Sequence, residues 1–127
     1  LNPKVQITVN RILSGINNVL LINPLAYQDF IWLMNKSKII ITDSGGIQEE
    51  APSLGKPVLV IRNTTERPEA VDAGTVLLVG TNEDLIVSQA LELLNNEDKY
   101  LKMSKLHNPY GDGLACKRIV DFIKNIK

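Results

Sequence analysis

The chain has 127 residues, of which 44% are apolar, and its 14 basic residues balance 14 acidic ones. This length suits one small domain with its own core, and the lack of a basic excess argues against nucleic-acid binding. No apolar run approaches the roughly 20 residues that a membrane helix needs. The lone Cys116 cannot form an internal disulfide, so a reducing compartment, the cytoplasm, is expected.

The first 36 residues predict a helix, a strand and a second helix. Apolar residues at helical spacing in residues 1–14 predict a short helix that ends near Gly15. The apolar run at residues 18–22 precedes an Asn-Pro pair and is typical of a buried parallel strand. Residues 25–36 place apolar side chains on one face and therefore predict an amphipathic helix.

The middle of the chain predicts three more strands, at residues 39–42, 57–61 and 75–79, each a short and continuously apolar segment. A short helix is expected over residues 47–54, with Gly55 in the left-handed position that often ends a helix. The polar segment 62–74 predicts a loop with a short helix from Pro68, because proline fits the first helical position.

The last third of the chain predicts three helices. Thr81 is expected to cap the first of them, and the Asn95-Asn96 pair separates it from a helix over residues 97–106. A turn-rich loop at 107–113 precedes a final helix over residues 114–126. The predicted buried face of the first helix consists of Ile86, Ala90, Leu93 and Leu94. The apolar stripe of the last helix consists of Ala115, Ile119, Phe122, Ile123 and Ile126.

Apolar strands that alternate with helices predict an α/β fold, a three-layer Rossmann-like domain around a parallel sheet. Ligands of such sheets bind outside the carboxyl ends of the strands, where residues 43–46 and 62–66 fall. The sequence therefore places a candidate binding site at this edge.

Ser44, Gly45 and Gly46 follow a buried strand and precede a helix, an arrangement suited to anions. Free amides at the helix start and the helix dipole favour a phosphate, and glycine lets the backbone approach it closely. Glu50 lies one turn further on and could accept hydrogen bonds from a sugar diol. The alternative is an ordinary tight turn, since neither a P-loop nor a dinucleotide fingerprint is present.

Two further residues are candidates for binding a nucleotide. Arg67, in an unusually polar loop, could donate to a phosphate or a sugar, or belong to a solvent-exposed ion pair. Phe30 could stack on a base or belong to the core. His107 and Cys116 form no recognisable metal or nucleophile constellation, so neither a metal nor a cofactor is expected. Tyr110 and Asp112 are expected to shape a turn.

A long stretch resembles a known family. The segment DSGGIQEEAPSLGKPVLVIRNTTERPEAVDAGTVLLVGTN, at residues 43–82, is similar to the non-hydrolysing UDP-N-acetylglucosamine 2-epimerases. FIWLMNKSKIIIT upstream and HNPYGDGLACKRI downstream resemble the same family, so the similarity covers nearly the whole chain. It implies that residues 1–127 are part of a UDP-binding C-terminal domain in a two-domain glycosyltransferase-B-like enzyme, truncated on its N-terminal side.

The resemblance also implies which residues bind UDP. In the family, the Ser-Gly-Gly turn binds the diphosphate and the second Glu of QEE binds the ribose, which indicates Ser44, Gly45, Gly46 and Glu50.

By the same resemblance, the Phe two residues before WLM packs on uracil, which indicates Phe30. The position five residues earlier contacts the base, and Leu25 can hydrogen-bond there only through its backbone. The Arg of TTERPE lines the nucleotide-sugar site, which indicates Arg67.

The implied activity is that of an isomerase of cell-surface polysaccharide synthesis. It interconverts UDP-N-acetylglucosamine and UDP-N-acetylmannosamine by eliminating UDP and adding it back. The family's proton-transferring carboxylates lie in the N-terminal domain, so we expect no catalytic residue and no turnover in this chain alone. The alternatives are a non-catalytic nucleotide-sugar-binding module and the C-terminal domain of a glycosyltransferase. Expected partners are UDP or UDP-N-acetylglucosamine, the missing domain and, because apolar surface would be left exposed, further copies of the chain.

Overall fold

The computed structural model describes residues 2–126, and its central feature is an open sheet of three parallel strands. These are β1 (Ile40–Thr42), β2 (Val58–Val60) and β3 (Val76–Leu78), which lie side by side in that order. Thr42 is in register with Val60, which pairs in turn with Leu78, so the three strands end together. Every residue of the central strand β2 is buried. The three strands predicted for this part of the chain are confirmed, each slightly shorter than expected.

The contacts divide the chain into two compact units, Leu1–Phe30 and Ile31–Lys127. The first contains α1 (Pro3–Leu13), which begins after Asn2, whose side chain accepts a hydrogen bond from the amide of Lys4. The predicted first helix is confirmed there, although residue 1 lies outside the described part. The boundary between the units falls within α2 (Tyr27–Lys36), in which Met34 is buried.

The strand predicted at residues 18–22 is wrong. These residues adopt no regular structure, and Leu20 is 85% exposed. A strand exists only where a neighbour pairs with its backbone. Residues 2–126 form a single sheet, which contains only β1, β2 and β3. An apolar run therefore indicates a preference for burial, but it does not by itself supply the pairing that makes a strand.

Five helices follow the first strand. They are α3 (Gly45–Ser53), α4 (Pro68–Asp72), α5 (Glu83–Asn95), α6 (Glu97–Ser104) and α7 (Ala115–Asn125). Gly55 follows α3 with a φ of 66°, and α4 begins at Pro68, both as predicted. Each of the strands β1, β2 and β3 is therefore followed by a helix, which is the expected α/β order.

The core of the second unit lies between the sheet, α5 and α6. Leu59, Val79, Leu93 and Met103 form its buried cluster. Ile86 and Ala90 pack against this cluster, as the helical spacing predicts. Leu94, also predicted to be buried, is 48% exposed. Leu94 lies about 100° from Leu93 around the helix, and the buried side of α5 is the one that carries Leu93.

The junctions around α5 depend on asparagine. Asn82, rather than Thr81 as predicted, is the N-cap of α5, and its side chain accepts a hydrogen bond from the amide of Leu85 at 2.9 Å. Asparagine caps at least as well as threonine, and the helix simply starts one residue later. Asn96 ends α5 and also caps α6, accepting from the amide of Lys99 at 3.0 Å.

The last helix, α7, has no buried residue. Its apolar side chains include Ile119, Phe122 and Ile123, which are 57%, 70% and 60% exposed. None of the helices described for residues 2–126 is both long enough and apolar enough to span a membrane.

Candidate functional site

The candidate site begins where β1 ends. Ser44 has extended backbone angles and forms the N-cap of α3, so the chain passes from strand to helix within two residues. The amide of Ser44 donates to Oγ1 of Thr42 at 3.1 Å, while the Ser44 hydroxyl makes no capping bond. Of the groups of Ser44, the hydroxyl therefore remains available to an external partner and the amide does not.

Gly45 and Gly46 form the first turn of α3, whereas the sequence placed them in a turn before a helix starting at residue 47. Neither has a positive φ. A Cβ built on Gly45 would meet nothing within 4 Å, and one on Gly46 would reach only Oγ of Ser44, at 4.0 Å. Their amides make no hydrogen bond to the described residues, as expected for the first N–H groups of a helix. Backbone geometry and internal packing do not explain these two glycines, whereas close approach by an external group would.

Gln48 is fully buried in α3 and joins two loops of the site. Its Nε2 donates to the carbonyl oxygen of Ser44 at 3.2 Å, and its Oε1 accepts from Oγ1 of Thr65 at 2.7 Å. The amide of Arg67 donates to the same Thr65 hydroxyl at 3.0 Å. Sequence reasoning missed Gln48, although its position three and four residues before the buried Ala51 and Pro52 was an available signal.

Arg67 precedes α4, and its guanidinium is paired. Nε donates to Oε1 of Glu49, and Nη1 donates to the carbonyl of Glu66 at 3.1 Å. The hydrogen bond and the charge of Glu49 raise the pKa of Arg67 above its usual value. Two of the five guanidinium N–H groups are thus engaged, which leaves three for an external acceptor.

Glu50 is half-buried and forms no salt bridge within residues 2–126. Its neighbour Glu49 is the residue that pairs with Arg67. The two carboxylates therefore differ in availability, and only that of Glu50 is without a cationic partner in the described chain.

A third loop, predicted to be turn-rich, reaches the same region. Nδ2 of Asn108 donates to Oγ of Ser53 at 2.5 Å and to the carbonyl of Glu49 at 3.4 Å. Burial, followed by the charges of Glu69 and Glu49, raises the pKa of Tyr110 above its usual value. This loop thus lies beside the Glu49–Arg67 pair.

Asp112, in the same loop, shapes the turn before α7 as predicted. Its Oδ1 accepts from the amide of Leu114 at 3.0 Å. Arg118 binds both carboxylate oxygens, at 2.8 and 2.6 Å, and this interaction is the main reason why the pKa of Asp112 is lowered.

Of the seven predicted site residues, the structure brings five together in the unit Ile31–Lys127: Ser44, Gly45, Gly46, Glu50 and Arg67. Leu25 and Phe30 belong to the unit Leu1–Phe30. Within that unit Leu25 is 42% exposed and Phe30 is half-buried in the first turn of α2. Their contact with a base stays a prediction. The described residues contain no group of three or more His, Cys, Asp and Glu side chains placed to hold a metal.

Comparison with known proteins identifies the family to which the chain is similar. The family model for UDP-N-acetylglucosamine 2-epimerase matches residues 1–124. A UDP-N-acetylglucosamine 2-epimerase of Escherichia coli K12 is 62% identical over 125 residues, which are 98% of this chain and 33% of the relative. The chain thus spans about a third of the length of the curated relatives that it matches.

Solved structures give the same result. The Neisseria meningitidis UDP-GlcNAc 2-epimerase, crystallised with UDP-GlcNAc, is 55% identical with a TM-score of 0.89, over 98% of this chain and 34% of that one. The Methanocaldococcus jannaschii enzyme, in complex with UDP-GlcNAc and UDP, is 32% identical with a TM-score of 0.77, over 94% of this chain and 32% of that one. The predicted fold class, a Rossmann-like α/β domain with a parallel sheet, and the predicted resemblance are both confirmed. The chain belongs to the UDP-N-acetylglucosamine 2-epimerase family.

Proposed function

We propose that residues 1–127 form the UDP-binding C-terminal part of an enzyme that interconverts UDP-N-acetylglucosamine and UDP-N-acetylmannosamine. The observation that carries this proposal is the pair of glycines in the first turn of α3. Their amides have no acceptor among residues 2–126, and a Cβ on Gly45 would meet no neighbour. Family members crystallised with UDP-GlcNAc or UDP support the choice of ligand.

The diphosphate is proposed to bind at the start of α3. The amides of Gly45 and Gly46 and the hydroxyl of Ser44 supply hydrogen-bond donors, and the helix dipole adds partial positive charge. Arg67 supplies a full positive charge and three further N–H groups, because Glu49 and the Glu66 carbonyl occupy only two. The amide of Ser44 is not part of this proposed cradle, since Thr42 already accepts from it.

The nucleoside is proposed to contact three other residues. Glu50 lies on α3 one turn beyond Gly46, and its carboxylate is free of salt bridges in the described chain, so it can accept from the ribose hydroxyls. Phe30 offers an aromatic face to the uracil, and Leu25 offers backbone groups to the base edge. The last two assignments depend on the family resemblance alone.

This arrangement serves the family reaction by stabilising departing UDP. When the bond between C1 of the sugar and the phosphate oxygen breaks, negative charge grows on the diphosphate. Donors already aimed at that position need no reorganisation and lower the barrier. The proton transfers at C2 of the sugar need carboxylates that the family resemblance assigns to its N-terminal domain. We therefore propose that residues 1–127 by themselves bind UDP weakly and do not turn over substrate.

The test is calorimetry of the purified 127-residue chain with UDP, alongside a turnover assay with UDP-N-acetylglucosamine. Wild-type chain should bind UDP and leave UDP-N-acetylglucosamine unchanged. Gly45→Asp should abolish binding, because it puts a carboxylate beside the diphosphate. Unaltered UDP affinity in Gly45→Asp would refute the cradle, and steady epimerisation by the chain alone would refute the assignment of proton transfer elsewhere.

We also propose that the chain associates with further copies of itself and acts with an additional catalytic domain. The apolar side chains of Ile119, Phe122 and Ile123 on α7 support this proposal, since all three are more than half exposed. A cytoplasmic location is proposed as well, because the free and exposed Cys116 suits a reducing compartment.

A further inference from the structure

The side-chain amide of Gln48 connects the two parts of the proposed diphosphate site. We propose that Gln48 is a positioning residue, which fixes the spacing between the amides of Gly45 and Gly46 and the guanidinium of Arg67 without touching UDP. This inference rests on the proposed function and adds to it the means by which the site is held in shape.

One end of the Gln48 amide holds the start of α3. Its Nε2 donates to the Ser44 carbonyl at 3.2 Å, and the backbone amide of the same residue donates to that carbonyl at 3.4 Å. The carbonyl belongs to the N-cap residue, directly before Gly45. The orientation of the first free amides of the helix therefore depends on this contact.

The other end holds the loop that follows β2. Oγ1 of Thr65 donates to Oε1 of Gln48 at 2.7 Å, and Oγ1 of Thr65 also accepts from the backbone amide of Arg67 at 3.0 Å. The Thr65 hydroxyl thus transmits the position of Gln48 to the backbone from which the Arg67 side chain extends.

The chemistry of this position requires an amide. Gln48 must donate at one end and accept at the other, which a primary amide does and a carboxylate does not. A glutamate here would face the Ser44 carbonyl oxygen with a second acceptor and would place a charge where the side chain is fully buried. An apolar side chain would fill the space, but the Ser44 carbonyl and the Thr65 hydroxyl would lose the hydrogen bonds that Gln48 makes to them.

The second connection between these loops, the Glu49–Arg67 pair, differs in its access to water. Both of its side chains are more than a third exposed, so solvent and salt weaken it. The side chain of Gln48 is fully buried, so water competes less for its hydrogen bonds, and this connection is the more rigid of the two. Since a diphosphate would contact α3 and Arg67 at the same time, a fixed spacing between them reduces the ordering cost of binding.

The experiment compares Gln48→Met with wild-type chain by calorimetry, using UDP and uridine as separate probes. Uridine carries no phosphate, so loss of positioning at the diphosphate should leave the uridine affinity of Gln48→Met within about twofold of the wild-type value. UDP affinity should fall about tenfold, as expected for the loss of one well-placed hydrogen-bonded contact. A merely structural role would lower the folded fraction and reduce both affinities by the same factor.

Thr65→Val provides a second variant that leaves the core amide in place, in case Gln48→Met does not fold. It should also lower the affinity for UDP while leaving the affinity for uridine nearly unchanged. Thr64→Val is the matched control, because Thr64 is exposed and makes no side-chain hydrogen bond to residues 2–126. Equal losses for UDP and uridine, or no loss in either test variant, would overturn the role of Gln48 while wild-type binding keeps the proposed function. Absence of UDP binding in wild-type chain would overturn both.

Discussion

Glu49 accepts a hydrogen bond from Nε of Arg67, while the next residue, Glu50, has no salt-bridge partner in the described chain. Neighbouring helix positions point about 100° apart, so the two carboxylates face different surroundings. One of them holds the arginine, and the other is left for a ligand. Glu49 raises the pKa of Arg67 above its usual value. An arginine is charged throughout the physiological range in any case, so pH does not switch the affinity of Arg67 for anions.

The Glu49–Arg67 pair lets us predict that Glu49→Gln strengthens UDP binding. The glutamine carbonyl can still accept from Nε of Arg67, but the negative charge beside the proposed diphosphate is removed. A charge about 7 Å away in a water-like dielectric contributes about 0.6 kcal/mol, so UDP affinity should rise about threefold at low salt. Calorimetry at two ionic strengths would measure this gain, which should shrink as salt is added.

The matched control for that change is Glu92→Gln. Glu92 also pairs with a cation, Lys99, but it lies on α5. UDP affinity should not change in this variant. If Glu92→Gln raised UDP affinity as much as Glu49→Gln does, a general effect of net charge would explain both, and the local interpretation would fail.

Gly45→Ala is expected to change UDP affinity and the stability of the fold in opposite directions. The residue has helical backbone angles and open space around the added methyl group, so alanine should stabilise the fold by about 0.5 kcal/mol. The same methyl group should obstruct a phosphate and lower UDP affinity about tenfold or more. Thermal unfolding and calorimetry on one preparation would measure both effects. A destabilised variant with normal UDP affinity would contradict the proposed reason for glycine here.

Gly55→Ala is the contrasting substitution. Gly55 has a φ of 66°, and an added Cβ would lie 3.2 Å from the carbonyl oxygen of Ser104. Alanine there should lower the free energy of unfolding by about 1–2 kcal/mol. Identical chemistry at Gly45 and Gly55 should therefore change stability in opposite directions.

The Asp112–Arg118 pair predicts an acid-dependent start of α7. Arg118 lowers the pKa of Asp112, so the folded state binds this proton less readily than the unfolded state. The resulting stabilisation is present above pH about 4 and is lost as the pH falls through the lower pKa of the folded chain. Carbon-13 NMR should find Asp112 titrating below the value of a free aspartate. Arg118→Gln should raise that pKa, whereas Lys117→Gln, which removes the partner of Asp121 instead, should leave it unchanged.

The exposed side of α7 predicts association between chains. Phe122→Glu should reduce the mass measured by sedimentation equilibrium at high protein concentration, because it places a charge in the apolar stripe. Val87→Glu is the control, since Val87 is 55% exposed on a different helix, α5. A wild-type chain that stays monomeric at every concentration would show that α7 is not the contact.

Most of the sheet was predictable because its strands are short, apolar and bounded by turn residues. Residues 57–61 predicted β2 within one residue at each end. Residues 18–22 are similarly apolar but lack a pairing partner in the described chain, and an apolar composition carries no information about pairing. Helix starts were less predictable, since Thr81 and Asn82 can both cap and only the geometry of α5 selects Asn82.

The site was predictable where it depended on backbone and less so where it depended on side-chain partners. Ser44, Gly45 and Gly46 follow from the order of strand, glycines and helix. The pairing of Glu49 with Arg67 joins residues 18 apart, and no local pattern indicates it. Gln48 could have been found, because a polar residue on the same helical face as Ala51 must be bonded if it is buried.

Asn96 closes α5 with its backbone amide and opens α6 with its side-chain oxygen. A single residue therefore caps the end of one helix and the start of the next. Replacing this side chain by alanine would release the first turn of α6 while α5 kept its backbone closure. The first turn of α6 would then lose its side-chain cap, while the last turn would stay anchored by Met103, which α6 contributes to the core.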